Sequence, residues 1–146
     1  MLVDNPLDKV EQQVTINVGH TTYLLRLMLP SMMAREHRSA IVVTSSLSAI
    51  MPLPIIQIYG ATKSYGSFIA QAVSYEAKDK IDVISYEPAH VHSNLIKEKP
   101  NHRVITAERA AQVCFRDLGY EIRTTGAFRH EVTKAWLWIF GQKMVS

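Results

Sequence analysis

Helix, strand, helix, strand, helix, strand is the order carried by the hydrophobic pattern of this chain, which predicts an α/β fold with a parallel sheet of about three strands flanked by helices. Three observations support it. Ala40-Ile-Val-Val-Thr-Ser-Ser and Ile81-Asp-Val-Ile-Ser-Tyr are short apolar runs rich in β-branched residues, the signature of strands buried on both faces. Stretches with helical spacing surround both runs. The glycines, at 19, 60, 66, 119, 126 and 141, form no Gly-rich turn between a strand and a helix, so the pattern corresponds to one half of a doubly wound domain.

The first helix is expected over Asp8 to Arg35, where Val10, Val14, Val18, Leu24, Leu25 and Met28 recur near helical spacing and Pro30 kinks or ends the last turns. The strand 40–46 follows. Leu47 to Ile58, with Pro52 and Pro54, reads as a loop. The second helix runs from Tyr59 to Asp79, with Ala61, Tyr65, Phe68, Ile69, Ala72 and Val73 as its apolar stripe. Pro88 closes the strand 81–86, and a loop carries His90, His92 and Lys97-Glu-Lys-Pro. Thr106 caps a third helix that ends at Leu118 before Gly119. Thr124 to Arg129 is expected as a third short strand, and Val132 to Phe140 as a last helical piece.

The 146 residues, 47% apolar and 20% charged, suit one globular domain and exclude a collagen, a disordered tail and a disulfide scaffold. The formal charge of +3 is scattered along the chain, so no nucleic acid partner is expected. Cys114 stands alone, which precludes an intrachain disulfide and points to a reducing compartment. No run reaches the roughly 18 apolar residues of a membrane span, and no signal peptide is visible. His90 and His92 lack a third ligand at metal-site spacing, so no metal is expected.

Tyr59-Gly-Ala-Thr-Lys63 sets a phenol and an ammonium four residues apart, hence on one face of a helix start. A phenol is ordinarily a weak acid, with a pKa of about 10, and a nearby ammonium favours its phenolate, so the pair suits proton transfer near neutral pH. Ser46 ends the preceding strand, where open α/β sheets place ligand-binding groups. Each feature also has a plainer reading. Many Tyr-x-x-x-Lys patterns are solvated helix faces, Asn17 alone reads as a polar residue within a helix, and Ser46 as a loop hydroxyl bonding its own backbone.

Asn17, Ser46 and Tyr59-Gly-Ala-Thr-Lys63 together resemble the Asn, Ser, Tyr-x-x-x-Lys tetrad of the short-chain dehydrogenase/reductase superfamily. Thr44-Ser-Ser-Leu-Ser-Ala-Ile-Met-Pro-Leu-Pro and Arg123-Thr-Thr-Gly look like its branch of 17β-hydroxysteroid dehydrogenases and very-long-chain 3-oxoacyl-CoA reductases. The likeness runs from about Leu7 to Phe140 and matches the C-terminal half of a family member. It implies half of a Rossmann-like sheet, residues 1–146 forming a single truncated domain without the N-terminal dinucleotide-binding half. It also implies an NADP or NAD cofactor and carbonyl/alcohol interconversion on a steroid or long-chain acyl substrate.

By the same resemblance, Tyr59 is the general acid and one of the cofactor-binding residues, Lys63 lowers its pKa and holds the nicotinamide ribose, and Ser46 orients the carbonyl. Asn17 keeps a relay water in place. The segment flanking the nicotinamide is matched by Pro88-Ala-His-Val-His-Ser93, which makes Pro88, Val91 and Ser93 candidates for cofactor binding, with Ala89 where the family has glycine. The isolated half is expected to be inactive, and a non-catalytic interaction protein or pseudoenzyme derived from the family is the alternative. A homodimer through helices 8–35 and 59–79 and association with the endoplasmic reticulum follow from the resemblance, with a cytoplasmic location as the alternative. Trp136 and Trp138 are candidates for a peripheral membrane contact or for packing on the core.

Overall fold

A computed structural model describes residues 2–145, with side chains described as far as Phe140. The helices are α1 (Leu7–Val14), α2 (His20–Met33), α3 (Gln57–Ala77), α4 (Ala107–Asp117) and α5 (Phe128–Val145). The strands are β1 (Ser39–Thr44), β2 (Ile81–Tyr86), β3 (His90–Val91), β4 (Val104–Ile105) and β5 (Arg123–Thr124).

The main sheet has the order β1-β2-β5 and is parallel throughout. Val42 faces Ile84 and Thr44 faces Tyr86 across the first pair, while Ser85 faces Arg123 across the second. One apolar cluster joins Leu25 and Met32 of α2 and Ala70, Val73 and Ala77 of α3 to Val43, Ile81 and Val83. A second joins Ile84 and Tyr86 to Ala110 and Cys114 of α4, Ile105 and Ala127. Helices thus contribute to both clusters, as an α/β fold requires. β1 lies at one edge of the described sheet, its outer side without a strand partner.

The expected elements are present with six corrections. The strand expected over 40–46 is Ser39–Thr44, and it is not buried on both faces: as the edge of the described sheet it leaves Ala40, Val42 and Thr44 exposed. The helix expected over 8–35 is α1 and α2 joined by a π turn, Thr15–Gly19, and it continues through Pro30 to Met33. The helix expected over 59–79 is α3, beginning two residues earlier, and its expected stripe is buried only in part: Val73 is buried and Ile69 packs on the core, whereas Ala61 and Ala72 are exposed. Gly60, Thr62, Gly66, Ser67, Ala70 and Ser74 face inward, while Phe68 is 77% exposed. These small residues lie against the sheet, where a Cβ on Gly66 would meet Val43 Cγ1 at an ordinary contact distance of 3.6 Å. The strand expected over 124–129 is only Arg123–Thr124, because Gly126 turns the chain at φ +75°. A Cβ there would stand 2.6 Å from Val113 Cγ2, so glycine is required on both counts. That turn also starts α5 at Phe128 rather than Val132. The loop after β2, finally, contains a parallel pair, His90–Val91 against Val104–Ile105.

The capping signals act as expected. Thr106 Oγ1 accepts the Arg109 amide at 3.0 Å, and Gly119 follows α4 at φ +86°. Among the described residues no helix is long and apolar enough to cross a membrane.

Candidate active site

β1 ends in Thr44 and delivers Ser45 and Ser46 to the start of α3. Ser45 is buried; its amide donates to Tyr86 O at 2.7 Å and its hydroxyl to Lys63 O at 2.7 Å. Those bonds fasten the strand end both to β2 and to the helix that bears Tyr59 and Lys63. Ser46 is extended, at φ −162° and ψ 155°, and its Oγ accepts from Ser48 N at 3.2 Å and Ser48 Oγ at 3.0 Å. This is the local turn that its residue type favours. The turn Leu47–Ala49 then lies against α3: Ser64 Oγ donates to Ala49 O at 2.8 Å, and a Cβ on Gly60 would stand 3.1 Å from Ser48 O. Gly60 therefore permits the approach that brings the Ser46 turn beside Tyr59.

Lys63 Nζ donates to Thr44 O at 2.8 Å and lies 5.8 Å from the centre of the Tyr59 ring. Its ammonium is thus held between the strand end and the phenol, within cation–π range. Burial pulls the Lys63 pKa below its ordinary value of 10.5, since desolvation disfavours the charged form.

Asn17 occupies the π turn, a feature that often marks functional sites. Its Nδ2 donates to Thr62 Oγ1 at 3.0 Å, and Thr62 Oγ1 donates to Tyr59 O at 2.9 Å. Asn17 is thereby tied to the backbone of Tyr59 through a residue that the sequence reading passed over. Thr22 Oγ1 and Tyr65 OH, 2.6 Å apart, add a second link between the same helices. A groove of about 340 Å³ beside β1 is lined by Asn17, Thr21, Thr44, Thr62 and Lys63, together with apolar side chains of α2 and β1.

The 88–93 segment is anchored to the same region. Pro88 O accepts the Leu47 amide at 2.9 Å, which sets Pro88 next to the Ser46 turn. Val91 lies in β3, and His92 N donates to Ile105 O at 2.8 Å. Ser93 Oγ accepts from Leu95 N at 3.2 Å and Ile96 N at 3.3 Å, closing a small turn. His90 is exposed, and His92 Nδ1 lies 2.9 Å from Glu98 O. Among the described residues no group of three or more His, Cys, Asp or Glu could hold a metal ion.

The sequence reading also passed over Glu87, the buried carboxylate between β2 and Pro88. Arg123 Nε contacts both of its oxygens, at 2.8 and 2.7 Å, and the hydroxyls of Ser67 and Ser85 donate to Oε1. The available signal was an acidic residue directly after the most apolar part of a strand and before Pro88. Two cavities of about 450 Å³ flank Ile50. One is formed by the 49–54 loop and α3, the other by Arg123, Glu131, Lys134 and Trp138 with their neighbours.

The model of the short chain dehydrogenase family matches residues 2–104. The very-long-chain 3-oxoacyl-CoA reductase of Mus musculus is 34% identical over 132 residues, covering 89% of this chain and 41% of the relative. The inactive hydroxysteroid dehydrogenase-like protein 1 of Rattus norvegicus is 28% identical, covering 97% of this chain and 46% of that one. This chain thus spans less than half the length of these curated relatives. The solved structure of a short-chain dehydrogenase from Sphingobium yanoikuyae in complex with NADPH superposes with a TM-score of 0.75 at 21% identity, covering 97% of this chain and 57% of the other. The family model covers most of the chain and the murine relative is more than 30% identical over nearly all of it: the chain belongs to the short chain dehydrogenase family.

Proposed function

We propose that these residues form the catalytic half of an oxidoreductase that interconverts a carbonyl and an alcohol on a steroid or long-chain 3-oxoacyl substrate, using NADP(H) or NAD(H). The observation that carries this reading is the hydrogen-bonded line from Asn17 through Thr62 to Tyr59, with the Lys63 ammonium beside the phenol. Tyr59 gives its proton to the carbonyl oxygen. Ser46, which accepts from Ser48 in both of its bonds, keeps its own proton to donate to that oxygen. Asn17 holds the relay water. The cavity formed by the 49–54 loop and α3, lined mainly by apolar residues, suits a steroid or acyl chain.

The residues fit one end of the cofactor. Lys63 spends one N–H on Thr44 O and has others for the ribose hydroxyls, while Pro88, Val91 and Ser93 line the approach to the nicotinamide, which supplies the hydride. No cluster of glycines offers a cradle for the pyrophosphate. The polypeptide of 146 residues by itself is therefore expected to show no saturable NADPH or NADH binding in titration calorimetry at micromolar ligand. A micromolar dissociation constant would refute the reading of this chain as half a site, with its partner half required for activity.

The second reading is a non-catalytic interaction protein or pseudoenzyme from the same family, favoured by a relative named as inactive. Turnover after the chain is joined to a dinucleotide-binding half separates the two.

Self-association through α2 and α3 belongs to the proposal. Tyr23, Leu27, Phe68 and Tyr75 are each about two-thirds exposed or more, and a two-fold contact needs only one self-complementary patch. Light scattering at tens of micromolar is expected to give a dimer or larger species, which Leu27→Glu with Phe68→Glu disperses; a monodisperse wild-type monomer refutes it. The outward aromatics of α5, with Trp136 and Phe140 rings 5.9 Å apart, suit a peripheral contact with a membrane such as the endoplasmic reticulum.

A further inference from the structure

His130 is only 1% exposed, yet the proposed reaction gives it no part. It lies in the first turn of α5, where its own amide donates to Ala127 O at 2.8 Å. Its Nδ1 accepts the Ala89 amide at 3.2 Å. A ring that accepts at Nδ1 carries its proton on Nε2, and Nε2 is buried without a hydrogen-bond partner. A buried imidazole with one nitrogen unpaired costs free energy, so the bond to Ala89 is the polar contact that this placement secures. Ala89 is the position in the 88–93 segment where an ordinary residue replaces the family's glycine. The neighbouring anchors are Leu47 N to Pro88 O on one side and the β3 pairing with β4 on the other.

We propose that His130 is a positioning residue: by accepting the Ala89 amide proton it fixes the course of the segment flanking the nicotinamide and couples that segment to α5. The functional significance rests on the reading above; the latch itself does not. The bond requires the neutral ring, because an imidazolium donates from both nitrogens. Burial, His90 and the Arg129 guanidinium all disfavour the charged form, against the backbone groups of Thr125 and Arg103 that favour it, and the balance lowers the His130 pKa from its ordinary 6.5. Neutral pH therefore keeps the latch closed, and acidification opens it.

Amide hydrogen exchange of the chain, read by NMR without any cofactor, tests this. Ala89 exchange is divided by that of Ile84 in the core, so that a global loss of stability cancels. His130→Leu should raise this ratio by about ten-fold, the effect of losing one acceptor. His130→Asn, whose Oδ1 can take the place of Nδ1, should stay within about three-fold of wild type. In wild type the ratio, corrected for intrinsic exchange, should rise as pH falls below 6.5, and in His130→Asn it should not. An unchanged ratio in His130→Leu, equal effects of Leu and Asn, or a wild-type ratio flat with pH overturns the proposal. The wild-type pH series needs no variant to fold, and none of these readings depends on nucleotide binding or turnover.

Discussion

Tyr59→Phe, introduced after the chain has been joined to the dinucleotide-binding half of a relative, lowers turnover by about 10²–10⁴-fold, the usual contribution of a positioned proton donor. Cofactor affinity stays nearly unchanged. The substitution removes one oxygen, while the ring, the Thr62 bond to the Tyr59 carbonyl and the Lys63 bond to Thr44 all remain. Lys63→Ala behaves differently, since it removes both the charge beside the phenol and the donor proposed for the ribose, and it should impair turnover and cofactor affinity together. Because burial lowers the pKa of Lys63, its ammonium is lost at a lower pH than that of a free lysine. Activity should accordingly decline on the alkaline side in a way that Lys63→Arg, which stays charged, displaces upward. Equal turnover by wild type and Tyr59→Phe would remove Tyr59 from the mechanism.

The parts of the fold that could be read in the sequence are those whose signal is local. The β-branched runs at 40–44 and 81–86 are strands as their composition suggests, but only the second is buried along nearly its whole length, since Ala40, Val42 and Thr44 of β1 lie exposed at the edge of the described sheet; Thr106 and Gly119 bound α4 through bonds and backbone angles of their own. β3 and β4 escaped because two-residue strands show no periodicity, and their pairing joins residues fourteen positions apart. The stripe of α3 was misplaced for a different reason. Hydrophobicity alone selects Phe68 and Tyr65, but the face of α3 that lies on the sheet is the one bearing Gly66, Ser67, Ala70 and Val73, which leaves Phe68 outside. At the site, the residue types of Asn17, Ser46, Tyr59 and Lys63 were legible. Thr62, which links two of them, was not, because its role depends on the π turn in a helix forty-five positions away.

Arg123→Ala is expected to destabilise the fold by about 3–5 kcal/mol, the usual cost of leaving one member of a buried ion pair alone. Glu87 has no exposed surface, and Arg123 is the cation that contacts both of its oxygens, through Nε. The hydroxyls of Ser67 and Ser85 remain as donors to Oε1, but neutral donors cannot balance a carboxylate withdrawn from water. The consequence reaches beyond one pair, because the network spans three elements: Ser67 lies on α3, Ser85 on β2 and Arg123 on β5. Breaking it loosens the contact between the central strand and the edge strand that leads into Gly126 and α5. The paired replacement Glu87→Gln with Arg123→Met removes both charges while keeping comparable bulk, and it should recover most of the lost stability. Urea denaturation followed by circular dichroism measures the series. A loss below about 1 kcal/mol for Arg123→Ala, the range of an exposed ion pair, would mean that solvent reaches Glu87 and that this carboxylate does not organise the sheet.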